Sequence, residues 1–383
     1  MSSATRGDTM TTFIHTADWH LGMTRRYLSP DTQARYSEAR IDAVREIARL
    51  ADSEGAEFVV ACGDLFDSNH VDRQVVSRAV DALGAFTVPV FILPGNHDPL
   101  DASSVYRSSA FADRCPPNVR VIDSAEPVTI GGIELVGAPW HAKNPGHDPA
   151  ERAMSDLAQG PTRVLLAHGV VDVLSPDAHD TSVIAMEGLR QALDAGLLAY
   201  VALGDRHSAT EVGDDQRVRY PGTPVATDYG EVDPGQALVV RIDGTEVQVE
   251  AHRVGAWTFM RRGVRLESLD DVEALDASLT AIPDKARTIV RLDLVGALGI
   301  GEDARLQAVL DDHRDVLASL TVSERGSDVV VFVEEGDLHN LGLKGYAYDA
   351  AAEVAALAAD EGPQQIAARD ALRLLYRLAR HAA

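Results

Sequence analysis

Cysteine and lysine are scarce in this chain, and long apolar runs are missing. Two cysteines among 383 residues, Cys62 and Cys115, cannot build a disulfide framework, and Cys62 lies inside an apolar run. Both facts fit a reducing cytoplasm. No stretch approaches the ~18 consecutive apolar residues of a membrane-spanning helix, so no membrane association is expected. The opening MSSATRGDTM lacks the apolar centre of a signal peptide and reads as a disordered tail over residues 1–11. Only three lysines occur (Lys143, Lys285, Lys344), and 35 basic residues face 59 acidic ones, a formal net charge of −24. Such a chain does not grip a polyanion through its whole surface. Any contact with nucleic acid has to be local, made through metal ions, or supplied by a partner.

What is present is globular. A hydrophobic share of 45% supports a sizeable core, and the length suits two or three domains. Strands are expected at Phe13–Thr16, Phe58–Cys62, Val90–Leu93, Val164–Ala167 and Tyr200–Leu203. Helices are expected at Ala34–Glu54, with Gly55 as C-cap, and at Asp72–Leu83. Val119–Val136 and Val218–Val249 read as antiparallel hairpins turning at Gly131-Gly132 and Asp243-Gly244. This α/β domain spans residues 12–257. Residues 258–345 follow as a smaller α+β module, with strands at Val264–Leu266, Thr288–Leu294 and Val329–Val333 and helices at Leu269–Leu279 and Ala304–Leu317. Residues 346–383 form C-terminal helices, the last over Ile366–His381 with Ala371, Leu374, Leu375 and Leu378 on one face and Arg369, Arg373, Arg377 and Arg380 on another.

Acidic, amide and imidazole residues recur at the strand ends, each in a short glycine-containing motif. They are Asp18 and His20 in DWHLG, Asp64 in GDLFD, Asn96 and His97 in GNHD, His168 in LLAHG, and Asp205 and His207 in ALGDRH. Strand-end loops of an α/β sheet converge on one crevice. Alternation along an extended DWHLG puts Asp18 and His20 on one side, within reach of one ion. A mixed carboxylate, amide and imidazole set suits a borderline-hard divalent ion such as Mn²⁺, with Mg²⁺ as second candidate. A lone DxH or a GD ending is common in ordinary turns; five motifs in order, each after a strand, are not. His15, one strand period from Ala17, reads as a core histidine. His70, His141, His147, His179, His313 and His339 sit in loops or on polar faces without ligand spacing.

The order DxH, GDxxD, GNHD, HG, GxxH resembles that of the calcineurin-like metallophosphoesterases. The longer wording HTADWHLG (15–22), GDLFD (63–67), LPGNHD (93–98) and YPGTPVATDYGE (220–231) is similar to the SbcD-type DNA-repair nucleases. The resemblance implies a four-layer αββα sandwich with a C-terminal capping domain. It implies one ion on Asp18, His20, Asp64 and His207, and a second on Asp64, Asn96, His168 and residue 205, bridged by Asp64. It makes His97 the catalytic general acid. It also implies an SbcC-type coiled-coil ATPase as partner, DNA ends as substrate, and room for a homodimer. Arg25 and Arg26, just after DWHLG, are candidates for a phosphate backbone. One departure stands out: the family's GHxH is Gly204-Asp205-Arg206-His207 here. Asp205 then ligates directly, acts through a water, or leaves a weakened second site. Two other functions stay open: a small-molecule phosphodiesterase or phosphatase, and a weakly active interaction subunit.

Overall fold

Every residue of the first strand, β1 (Thr11–Thr16), is buried, so the strand has to be covered on both faces. The structure is a computed structural model and describes residues 10–175, 183–332, 343–359 and 362–381, the side chains of 373 and 376–381 excepted. The chain divides into two compact units, Met1–Trp257 and Thr258–Ala383. Thr11, expected in a tail over residues 1–11, belongs to β1, and residues 1–9 lie outside the described residues.

In the first unit the order is β1, α1 (Pro30–Ser53), β2 (Phe58–Cys62), α2 (Arg73–Leu83), β3 (Val90–Leu93), α3 (Ser109–Ala112) and β4 (Val119–Val121). Next come β5 (Val128–Ile130), β6 (Ile133–Gly137), α4 (Pro149–Met154), β7 (Arg163–His168), α5 (Met186–Asp194), β8 (Tyr200–Gly204), β9 (Thr210–Glu211), β10 (Val218–Tyr220), β11 (Gln236–Asp243) and β12 (Glu246–Arg253). Helix α1 starts at Pro30, four residues before the expected Ala34. Ser29 caps it by accepting from the Thr32 amide, and Pro30 takes a first-turn position that needs no N–H. Two six-stranded sheets result, ordered β12-β11-β1-β2-β3-β4 and β5-β6-β7-β8-β10-β9.

Alternation in the strands builds four layers. Phe13, Phe58, Val60, Phe91 and Leu238 point between the sheets and meet Leu135, Val164, Leu166, Tyr200 and Ala202. Their neighbours Ile14, Val59, Ile92 and Val239 face the other way, onto α1 and α2. Leu165, Ala167, Val201 and Leu203 pack on α4 and α5. This is the αββα sandwich. The antiparallel reading of 119–136 needs correction. β4 runs parallel to β3 and β6 parallel to β7, leaving only β5–β6 as a hairpin, across Gly131-Gly132.

The second unit contains β13 (Thr258–Leu266), α6 (Leu269–Thr280), β14 (Thr288–Gly299), α7 (Ile300–Arg314), β15 (Ser319–Val322), β16 (Asp328–Phe332), α8 (Tyr346–Ala359) and α9 (Gln365–His381). β13, β15 and β16 all pair parallel to β14. The expected α+β module is therefore α/β in its pairing, because helical crossovers through α6 and α7 return β14 and β15 in the same direction, and β16 follows β15 after a short turn. β15, which the sequence pattern did not signal, and β16 lie end to end along one edge of β14. α8 and α9 share a core with α7 through Ile300, Ala304, Ala351, Ala355, Ala368 and Leu372. Among the described residues no helix is long and apolar enough to cross a membrane.

Candidate metal centre

The parallel strands β1, β2, β3, β7 and β8 deliver the motif residues to one end of the two sheets. The chain leaves β1 through Asp18 and His20, whose amides donate to the carbonyls of Gly63 (3.1 Å) and Asp64 (2.9 Å). Asp205, just past β8, donates its amide to Asp18 Oδ1 at 3.0 Å and thereby ties the sheets together. Extended alternation does not bring Asp18 and His20 together, as the sequence suggested. Both are in left-handed backbone, φ 55° and 45°, with buried Trp19 between them. Asp64 (φ 53°) and Asp205 (φ 95°) share that conformation, so four of the seven positive-φ non-glycine residues among the described residues stand at this site. Each costs about 1–3 kcal/mol, and such backbone strain collects at functional sites. Two motif glycines make room. A Cβ on Gly63 would lie 1.9 Å from His168 Nδ1, and one on Gly95 would lie 2.2 Å from Asp64 Oδ1.

Three groups among the described residues each bring their ligand atoms within 4.8 Å of one another: Asp18–His20–His207, the fully buried Asp18–Asp64–His168, and the more open His20–Asp67–His97. His20 Nε2 and His207 Nε2 face each other at 2.9 Å. His168 Nε2 faces Asn96 Oδ1 at 3.1 Å, Asp64 Oδ1 at 3.4 Å and Asp205 Oδ1 at 3.6 Å. Asp18 is common to the first two groups, and Asp64 Oδ2 lies 3.9 Å from both His20 Nε2 and His97 Nε2. All seven residues expected as ligands thus converge here. His97 stands at the rim with a side chain 44% exposed. The His97 amide donates to Asp64 Oδ1 at 2.9 Å, and its Nδ1 donates to the Asp67 carbonyl at 2.8 Å.

The donor set fits divalent cations. His168 Nδ1 donates to the Cys62 carbonyl (2.9 Å), so its Nε2 is aimed at oxygens that can only accept. Burial opposes charge on this ring, but Asp64, Asp205 and Asp18 outweigh it and hold His168 well above the ordinary imidazole range. Burial alone would raise Asp64, yet His168, His20 and His97 hold it below the ordinary carboxylate range. Burial pushes Asp18 up to about 7 against the pull of His207 and His168. Burial pushes His20 down to about 4, leaving a neutral ring with a lone pair to give. Protons therefore stand where cations would satisfy the same acceptors, and metal binding would release them.

Several contributors carry no signal in spacing. Asp98 is fully buried and accepts from Gly95 N (2.8 Å), Phe66 N (3.0 Å) and Tyr106 Oη (2.6 Å), joining the GNHD turn to the GDLFD loop. Asp67 Oδ1 lies 3.5 Å from His20 Nδ1. Glu231 and Thr227 reach His207 Nδ1, at 3.2 Å and 2.8 Å. Each stands inside one of the motifs named above, with no role that its spacing reveals. Arg25 donates to the Thr227 carbonyl (2.5 Å), whereas Arg26 is exposed. His15 is a core residue between Tyr200 Oη and the Leu203 carbonyl. His313, expected on a polar face, is buried on α7 with Nε2 2.8 Å from Asp276 Oδ1. His179 and His339 lie outside the described residues.

This sandwich, with its strand-end carboxylates and imidazoles, is that of a metal-dependent phosphoesterase. The family described as calcineurin-like phosphoesterase matches residues 11–208, and the chain belongs to it. The family is dimetal-dependent. The chain is also similar to the SbcD component of the SbcCD nuclease of Staphylococcus saprophyticus, at 28% identity over 169 residues. That match covers 42% of this chain and 42% of the relative, so less than half of the relative's length is spanned. Among solved structures, the purple acid phosphatase PPD1 from yellow lupin (Lupinus luteus) seeds is 11% identical, with 64% of this chain and 52% of that chain covered and a TM-score of 0.39. A dimetal phosphatase from Danio rerio is 14% identical, with 62% and 98% covered and a TM-score of 0.37.

Proposed function

We propose that the chain is a two-metal nuclease that hydrolyses phosphodiester bonds at DNA ends, working in complex with an SbcC-type ATPase. The observation that carries the reading is a pair of ligand groups, Asp18–His20–His207 and Asp18–Asp64–His168, that share Asp18 and lie side by side, with Asp64 Oδ2 3.9 Å from His20 Nε2 and one half-exposed imidazole, His97, beside them. The SbcD-type relative and the matching motif wording support DNA as the substrate. Asp18, His20, Asp64 and His207 would hold one ion, and Asp64, Asn96, His168 and Asp205 the other, with Mn²⁺ the preferred metal and Mg²⁺ the alternative. The 3.6 Å approach of Asp205 to His168 supports direct ligation by its carboxylate. When bound, the ions supply Lewis-acid activation of the phosphate and its attacking water.

His97 does the proton work. The Asp67 carbonyl can only accept, so Nδ1 keeps its hydrogen. Nε2 is left on the open side to carry a proton to the departing oxygen. The His97 amide on Asp64 sets the ring's place relative to the centre. Helix α9 is the proposed ATPase contact, through the ridge Ala371, Leu374, Leu375 and Leu378 in a helix-in-groove mode. Leu374 is 54% exposed, while the side chain of Leu378 lies outside the described residues. A second reading, a small-molecule phosphodiesterase, is favoured by the net charge of −24. The test compares linear duplex DNA with bis-p-nitrophenyl phosphate under Mn²⁺, Mg²⁺ or chelator, with and without the ATPase. Mn²⁺-dependent DNA cleavage is expected. Turnover of the small ester with no DNA cleavage in any arm refutes the nuclease reading.

A further inference from the structure

The segment 220–231 closes against the centre without supplying any of its proposed ligands, yet it is heavily moored. Thr223 Oγ1 donates to the Asp18 carbonyl (2.8 Å), Tyr36 Oη to the Ala226 carbonyl (2.7 Å), and Arg25 to the Thr227 carbonyl. What these bonds hold in place is the Glu231 carboxylate, 6% exposed, beneath His207. Its Oε2 accepts the Thr227 amide at 2.8 Å, its Oε1 accepts the Thr227 hydroxyl, and Oε1 lies 3.2 Å from His207 Nδ1. The Thr227 oxygen itself is 2.8 Å from Nδ1.

The direction of these bonds decides the state of the ring. A carboxylate only accepts, so the single Thr227 hydroxyl proton is committed to Glu231. The hydroxyl can then offer Nδ1 nothing but a lone pair, and Glu231 offers the same. Both neighbours demand a hydrogen on Nδ1, which leaves the Nε2 lone pair directed at Asp18 and His20. We propose that Glu231 is the positioning residue of the first metal site, acting through Thr227 to fix His207 in its Nδ1–H tautomer. Without Glu231 the Thr227 hydroxyl is free to turn and donate to Nδ1. The hydrogen then moves to Nε2, the position a metal ligand must keep bare. Partners of this kind around a metal-binding histidine typically account for 10–100-fold in metal affinity.

The inference rests on the two-metal reading only for its consequence, since the tautomer can be read without metal. Nitrogen-15 NMR of the metal-free full chain, at a pH where the ring is neutral, should show His207 protonated on Nδ1 in the parent and on Nε2 in Glu231→Ala. Calorimetric titration with Mn²⁺ should show one of two sites weakened by about 10–100-fold in that variant. Glu231→Ala combined with Thr227→Val removes the wrong donor and should recover several-fold of the loss, which a merely structural role would not do. Thr227→Val alone should keep the Nδ1–H tautomer through the direct carboxylate contact, and it serves should Glu231→Ala fail to fold. Nδ1 bare in the parent, or an unchanged tautomer in Glu231→Ala, overturns the proposal. A parent that takes up no Mn²⁺ while the tautomer switches as stated refutes the metal reading and leaves standing only the control of the His207 tautomer by Glu231.

Discussion

His15 gives the protein a pH dependence that can be worked out from two hydrogen bonds. Its Nε2–H donates to the Leu203 carbonyl (3.1 Å), and its Nδ1 accepts from Tyr200 Oη (3.0 Å), with all three groups fully buried. Burial pushes its pKa from 6.5 down to about 3, partly countered by the Leu203 bond. Above pH 6.5 the ring is neutral folded or unfolded, and its contribution is complete. Below that, the unfolded chain takes up a proton that the folded one refuses until about pH 3, so stability falls as pH falls through this window. At 1.36 kcal/mol per unit, acidification from pH 7 to pH 5 removes about 2 kcal/mol through this group alone. In a unit of this size that equals about 4–8 °C of melting temperature. His15→Gln keeps a donor and an acceptor but cannot be protonated. Urea titrations of parent and variant at pH 7, 6 and 5 should show the parent losing about 2 kcal/mol more than His15→Gln. Parallel losses in the two proteins would refute the reasoning.

Asp98→Asn puts an NH₂ group against one of two buried amide donors, Phe66 N or Gly95 N, and should destabilise by about 1–3 kcal/mol in urea titrations. Hydrolysis should fall with it, because Asp98 holds the turn that carries His97. His97→Ala should lower turnover by about 10²–10⁴-fold while both metal sites keep their ions by elemental analysis; loss of an ion would make His97 a ligand. Asp205→Ala should empty or weaken the second site and Asp205→His should tighten it, as read by Mn²⁺ titration with activity in parallel. An Asp205→Ala protein that binds two ions and cleaves like the parent removes Asp205 from the ligand set.

The residues proposed for the centre could be picked out because each motif depends on its immediate neighbours. An apolar run ends, a glycine turns, and a carboxylate or imidazole follows; that pattern marked Asp18, Asp64, Asn96, His168 and His207, and it placed β2 and β3 to the residue. The spacing also indicated convergence at one sheet end, since parallel strands put their loops together. Only the tertiary structure decided how the proposed ligands are held. Left-handed backbone at Asp18 and His20 is imposed by bonds to Gly63 and Asp64, forty-odd residues away, and no alternation rule reports it. The direction of β4 and β6 was invisible because a short alternating strand reads the same in parallel and antiparallel pairing. Asp98, Asp67 and Glu231 stood in plain view within the motifs. Their work became readable only when folding set Asp98 under Phe66, Asp67 beside His20, and Glu231 beneath His207. A hydrogen bond needs about 3 Å and a direction, and sequence supplies neither for residues joined through loops.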